Sequence, residues 1–286
     1  MLLSRSEMRF DFGGARFDPV ADRAVLRWML SQFLYGEITG VQVGHWLHAA
    51  PDLESARFLA RQAVEELQHV GNFLRIMQLL DVTPEPAHPV LRFLATGMMG
   101  DDWAEHVALE MATGEGFVLT AFYALIDTLD HREAVNIMER AVRQEEGHVA
   151  FGEQRCMRLL ADRPELREQL LGANLIWMWG VRQLSNYIDK KLPQAHPVLS
   201  QVKPFLAHAL RCSELRLVRM GMCEKPLSEL PRSTQTRYLL AALRGKVWNG
   251  ATSWFRRPVR LTDLYLSDPY LRRLLTEQST TRHMTH

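Results

Sequence analysis

The stretch Ala63-Val64-Glu65-Glu66-Leu67-Gln68-His69-Val70 returns in spacing as Val142-Arg143-Gln144-Glu145-Glu146-Gly147-His148-Val149: both read Glu-x-x-His-Val. On a helix, residues three apart lie on one face about one turn apart. The Glu and His of each pair can therefore reach a common point. Both pairs also lie in apolar stripes. Leu59, Ala63, Val70, Phe73 and Met77 share the face of Glu66, and Met138, Val142 and Val149 that of Glu145. A carboxylate turned into an apolar core costs several kcal/mol unless its charge is compensated. A bound cation is the simplest compensation.

One Glu-x-x-His arises by chance in many helices, so the upstream segments matter. Glu37 lies 29 residues before Glu66, and Glu115 lies 30 residues before Glu145. Each follows a glycine on an otherwise apolar face. Leu30, Phe33, Leu34 and Val41 flank Glu37, while Met111, Ala112, Val118, Leu119 and Phe122 flank Glu115. The chain thus repeats one pattern, Glu then Glu-x-x-His, on two successive helix pairs.

That order resembles the ferritin-like di-iron carboxylate superfamily, in which two helices of a four-helix bundle give one Glu each and the other two give Glu-x-x-His. The resemblance covers roughly residues 18 to 160. It implies an all-α, ferritin-like four-helix bundle with additional C-terminal helices, and two metal ions held by Glu37, Glu66, His69, Glu115, Glu145 and His148. Four carboxylates balance two divalent cations. The implied ions are iron, with manganese or a mixed pair as alternatives, and dioxygen is the implied co-substrate.

Helix signals agree with an all-α chain, and strand alternation is absent. Asp18-Pro19 reads as a cap and first turn, opening a helix to about His48. Ala50-Pro51-Asp52 starts a second, ending near Asp81. The proline-rich segment from Thr83 to Pro89 cannot be helical throughout and suits a crossover. A short helix from Pro89 to Met99 precedes a third long helix from Asp101 to about Leu129. Asp130-His131 is a tight turn, and the fourth long helix runs to about Leu160. After Asp162-Arg163-Pro164 comes a fifth, to about Lys191, carrying Trp177, Met178, Trp179 and Tyr187 as packing residues or a channel wall. A further helix fits Pro197 to Met220. Beyond Cys223, Pro226, Pro231, Gly245, Gly250 and Pro258 mark shorter pieces, and the polar tail from Glu277 reads as disordered. Residues 1–192 read as the metal-binding unit and 193–286 as a basic helical extension packed on it.

Composition narrows the class. The 47% hydrophobic content is ordinary for a globular protein. Cys156, Cys212 and Cys223 form no Cys-x-x-Cys, so neither a disulfide framework nor a cysteine-ligated centre is expected, and a cytoplasmic location is the default. The apolar window Leu170 to Val181 is too short to span a bilayer, and the start does not read as a secretory signal. Net charge is +1, yet residues 193–286 hold 15 Lys or Arg against 6 Asp or Glu. Such a basic third reads either as a solvated helical surface or as a dock for an anionic partner, with Arg256, Arg257 and Arg260 as test positions.

Other residues compete for roles. Glu110 competes with Glu115, which the matched spacing favours. Glu65 and Glu146 neighbour the candidate ligands but point away, which suits surface or supporting roles. His45, His48 and His106 are spare imidazoles. Ala141 stands where an N-oxygenase of the superfamily would carry an extra histidine. Tyr35 and Tyr123 read as packing residues before radical sites.

The functional expectation is an oxidoreductase: a di-iron oxygenase or hydroxylase acting on an organic substrate, including one tethered to acyl-carrier protein or coenzyme A. With no redox centre of its own beyond the metal site, it would need a ferredoxin or reductase, and it could form a homodimer. Alternatives are ferritin- or rubrerythrin-like iron oxidation and peroxide detoxification, a tRNA-modifying hydroxylase, and a catalytically idle partner subunit.

Overall fold

A computed structural model of the chain describes residues 1–92, 95, 100, 102–189 and 195–253. Among these the protein is all-α, with one isolated bridge between Phe17 and Leu129 in place of any strand. The helices are α1 (Arg5–Met8), α2 (Arg23–Gly40), α3 (Leu53–Leu79), α4 (Pro89–Arg92), α5 (Trp103–Thr128), α6 (Arg132–Asp162), α7 (Arg167–Asp189), α8 (Val202–Arg219) and α9 (Arg232–Ser253). A 3₁₀ segment, Val41–Ala49, prolongs α2, and the stretch His106–Glu115 of α5 is π-helical.

Local chemistry sets the boundaries. Asp52 caps α3 by accepting from the Ser55 amide at 2.7 Å, and Asp102 caps α5 through the Glu105 amide at 2.9 Å. Past α3, Asp81 takes a left-handed φ of 53°, and the Val82 amide donates back to the Met77 carbonyl. Gly221 ends α8 the same way, with Met222 donating to Leu217.

Two expected boundaries need correction. The first long helix begins at Arg23 rather than Pro19; Asp18 accepts from the Val20 and Ala21 amides as a cap would, but caps a single turn ahead of the helix. Among the described residues after Pro231, Arg232–Ser253 is one helix of 22 residues rather than shorter pieces, and Pro258 lies outside them. Gly245 does not break it, since that glycine serves the crossing with α7. A Cβ at Gly245 would sit 2.7 Å from the Gln169 side chain, and one at Gly172 would collide with the Tyr238 carbonyl. Pro89–Arg92 opens the expected short helix. Met99, Lys191, Arg256, Arg257, Arg260 and the tail from Glu277 lie outside the described residues.

α2 packs on α3, α5 on α6, and α3 on α6. α8 lies against α1, α5 and α7, and α9 against α7. Two apolar clusters form the interior. One gathers Leu26, Leu30, Phe73, Leu119 and Phe122, and the other Trp46, Leu59, Met111, Phe151 and Trp177. Residues beyond position 192 join both, through Phe205 and Ala209 in the first and Leu210 and Leu217 in the second. Trp177 and Met178 of α7 are buried, whereas Trp179 is exposed. The side chain of Tyr187 is not among those described.

By length and composition, one described helix, Trp103–Thr128, is apolar enough to cross a membrane. It is longer than the window read from Leu170, and most of its apolar part is buried inside the protein. Burial inside the protein accounts for its composition equally well.

Candidate metal centre

Along α2, α3, α5 and α6 the changeover between the two apolar clusters is marked by acidic and histidine side chains. Ile38 belongs to one cluster and Val43 to the other, with Glu37 beside the first. Leu59 and Val70 bracket Glu66 and His69, and Met111 and Leu119 bracket Glu115. All six sequence-selected residues come together there. Ligand-type atoms of Glu37, Glu66, His69 and Glu145 lie within 4.8 Å of one another, as do those of Glu66, Glu115 and His148. Glu66 is common to both groups. The two imidazole rings are 6.1 Å apart.

The contacts give this arrangement a direction. His69 Nδ1 lies 2.8 Å from Glu145 Oε1, 3.2 Å from Glu37 Oε2 and 3.7 Å from Glu66 Oε2. His148 Nδ1 lies 3.3 Å from Glu66 Oε1 and 3.4 Å from Glu145 Oε2. Both Nδ1 atoms thus face the cluster, while both Nε2 atoms are occupied elsewhere. His148 Nε2 meets Glu65 Oε2 at 2.7 Å, and His69 Nε2 meets Gln144 Oε1 at 2.9 Å. The bracing is reciprocal: α3 supplies Glu65 to the histidine of α6, and α6 supplies Gln144 to the histidine of α3. An acceptor on Nε2 fixes the tautomer with a bare Nδ1, the form a metal ligand needs.

These supporting residues were not identified individually from sequence, although Glu65 was assigned a supporting or surface role. Their signal was in plain view: each directly precedes the glutamate of its Glu-x-x-His, about 100° round the helix, where it faces the neighbouring helix. Gln62, one turn before Glu66, was also missed. Its Nε2 donates to Glu115 Oε1 at 2.9 Å.

Two local features place the carboxylates. In the π segment the Thr113 hydroxyl donates to the carbonyl of Ala108, five residues back, and Glu115 closes that segment. Such wide turns are costly and recur at functional sites. Gly40 supplies the space for Glu66, since a Cβ there would lie 2.6 Å from Glu66 Oε2. The glycines noted before Glu37 and Glu115 play smaller parts. Gly36 faces open space, and a Cβ at Gly114 would only approach the Leu109 carbonyl at 3.1 Å. Gly116 matters more, because the guanidinium of Arg216 fills the place of its missing side chain.

The donors fit a cation. Glu37, Glu66, His69, Glu145 and His148 are buried, and Glu37 Oε2, His69 Nδ1, Glu115 Oε2 and His148 Nδ1 have no aligned hydrogen-bond partner. Four orphaned polar atoms converging at one place are rare in a folded interior. Without a cation the charge must be balanced by protons. Burial raises the pKa of Glu37 and Glu115 well above the carboxylate range. Burial opposes charge on the histidines too, but the facing carboxylates prevail: His148 is raised to about 12, and His69 is also raised. Glu145, pushed up by burial but held by both histidines, is lowered to about 2. Hard oxygen donors with two imidazoles suit iron or manganese.

Among the described residues, Glu110, His106, Tyr123 and Tyr35 belong to neither group of clustered donors. Glu110 binds His106 Nδ1 at 2.8 Å and the Gly100 amide. His106 stacks on Trp46, with ring centres 4.7 Å apart. Tyr123 donates to Glu146 Oε1 at 2.7 Å and carries Arg5 over its ring. Tyr35 and Ala141 are buried in the core. The side chains of His45 and His48 lie outside those described. No protein-family model, curated protein or solved structure matches this chain.

Proposed function

We propose that the chain is a ferritin-like four-helix bundle whose Glu37, Glu66, His69, Glu115, Glu145 and His148 hold two iron ions, and that it oxidises an organic substrate with dioxygen. The observation that carries the reading is the convergence of six donors, four with orphaned polar atoms, at a buried point reached from four helices. When bound, such an iron pair supplies oxygen activation through its two accessible oxidation states.

The protein's own residues do the rest. Glu65 and Gln144 hold the imidazoles with Nδ1 inward. Gln62 fixes one oxygen of Glu115 and leaves the other free. Phe58 stands edge-on to His148 and stacks on Phe151, which lines that side of the imidazole with apolar surface. Protons held on the carboxylates and imidazoles leave as cations enter. Cys156 and Cys212 are buried and Cys223 is half-buried, and all three are free thiols. Electrons would therefore come from an external ferredoxin or reductase. The basic C-terminal third suits an anionic carrier of the substrate.

The test is metal analysis together with dioxygen consumption by the reduced protein. Two irons per chain and about one dioxygen consumed per pair are expected. Uptake of many irons per chain would replace this reading with iron storage, and absence of bound metal would end it.

A further inference from the structure

Resting on that reading, we propose that Gln62 is the positioning residue that keeps a coordination position open beside His148, by confining Glu115 to a single ligating oxygen. Gln62 is buried on α3, one turn before Glu66 and on the same face. Its Nε2 donates to Glu115 Oε1 at 2.9 Å and also reaches Glu66 Oε1 at 3.5 Å. One amide thus ties a carboxylate of α5 to one of its own helix. Charge fixes which way that amide points. With Nε2 inward, a donor meets two acceptors, whereas the reversed amide would set Oε1 against both carboxylates. Gln62 Oε1 is left buried without a hydrogen-bond partner, and so is Glu115 Oε2.

The other two carboxylates near His148 are engaged differently. Glu145 turns Oε1 to His69 Nδ1 at 2.8 Å and Oε2 to His148 Nδ1 at 3.4 Å. Glu66 turns Oε2 to His69 Nδ1 at 3.7 Å and Oε1 to His148 Nδ1 at 3.3 Å. Each of them faces both imidazoles, one oxygen to each, so neither has a second oxygen to close on one cation. Glu115 is grouped with Glu66 and His148 and not with the donors around His69. Unrestrained, both of its oxygens could close on a single cation, because carboxylates bind metals through one oxygen or two. The second oxygen would take the position that a small exogenous ligand needs. The Gln62 hydrogen bond holds Oε1 back and leaves Oε2 to ligate. It is a buried bond to a carboxylate, the strong kind, and a neutral amide makes it without changing the charge of the centre.

The experiment loads the full chain and its Gln62→Met variant, close in volume but without the donor, with cobalt(II). Cobalt content is measured, azide binding is followed by absorption, and crystals of the loaded proteins show how Glu115 binds. The parent should hold two cobalt ions, bind azide, and ligate through Glu115 Oε2 alone. Gln62→Met should keep both ions, lose the azide response, and show both Glu115 oxygens on one ion. A parent with both Glu115 oxygens bound to one ion would overturn the proposal while leaving a two-metal centre standing. So would a variant that takes up azide as the parent does, or a folded variant that loses its cobalt. A parent that binds no cobalt would overturn the centre and this proposal with it. Should circular dichroism show the variant unfolded, the parent crystals decide alone.

Discussion

At the scale of single residues, the glycines separate space that the site needs from space that it does not. Gly36 and Gly40 both lie on α2, one turn apart, and flank Glu37. Gly36 is exposed with nothing near its Cα, so Gly36→Ala should stabilise the helix by about 0.5–1 kcal/mol. Gly40→Ala would drive a methyl group to 2.6 Å from Glu66 Oε2 and must displace that carboxylate. It should lower the iron content from two per chain to one or fewer. Thermal melting and elemental analysis of the two variants check both outcomes. The same pair shows where sequence reasoning reached its limit. Glu37 was legible because it is a charge on an apolar face. The glycine that makes room for its neighbour was not, because the demand for space comes from another helix.

At the scale of elements, α8 couples the C-terminal half of the chain to the centre. Arg216 is fully buried, and its Nε donates to Glu153 Oε1 of α6 at 2.8 Å. Its guanidinium occupies the side-chain space of Gly116, the residue after Glu115. Glu153 Oε2 also accepts the Leu2 amide at 2.7 Å. Arg216→Met would leave buried Glu153 with only the N-terminal ammonium, 4.0 Å away, as counter-charge and should cost about 3 kcal/mol. The double variant Arg216→Met/Glu153→Leu should regain much of that loss, as denaturant titration would show. The long helices were legible from their apolar periodicity and from caps such as Asp52. The π segment of α5 and the unbroken α9 were not. Backbone widening at Thr113 and glycines placed for close helix crossing at Gly172 and Gly245 are set by partners distant in sequence, and their local signals read as ordinary helix or as breakers.

At the scale of the whole molecule, the cluster links stability to pH and metal. In the metal-free chain His148 is held near 12 against 6.5 when unfolded, and Glu37 and Glu115 are also raised. The folded state then binds more protons than the unfolded one, so stability falls as pH rises above about 6.5. Glu145, lowered to about 2 from 4.5, gives the opposite slope, losing stability as pH falls through that range. Cations replace the protons, so the melting temperature of the metal-loaded protein should exceed that of the metal-free one by a margin that widens between pH 6.5 and 9. Melting curves at fixed ionic strength would show it. The central claim, that six side chains from four helices cage two cations, is tested most directly by anomalous X-ray scattering from crystals soaked in iron(II). Two iron peaks are expected, one bounded by Glu37, Glu66, His69 and Glu145 and the other by Glu66, Glu115 and His148. Iron bound elsewhere, with no peak among these residues, would contradict it.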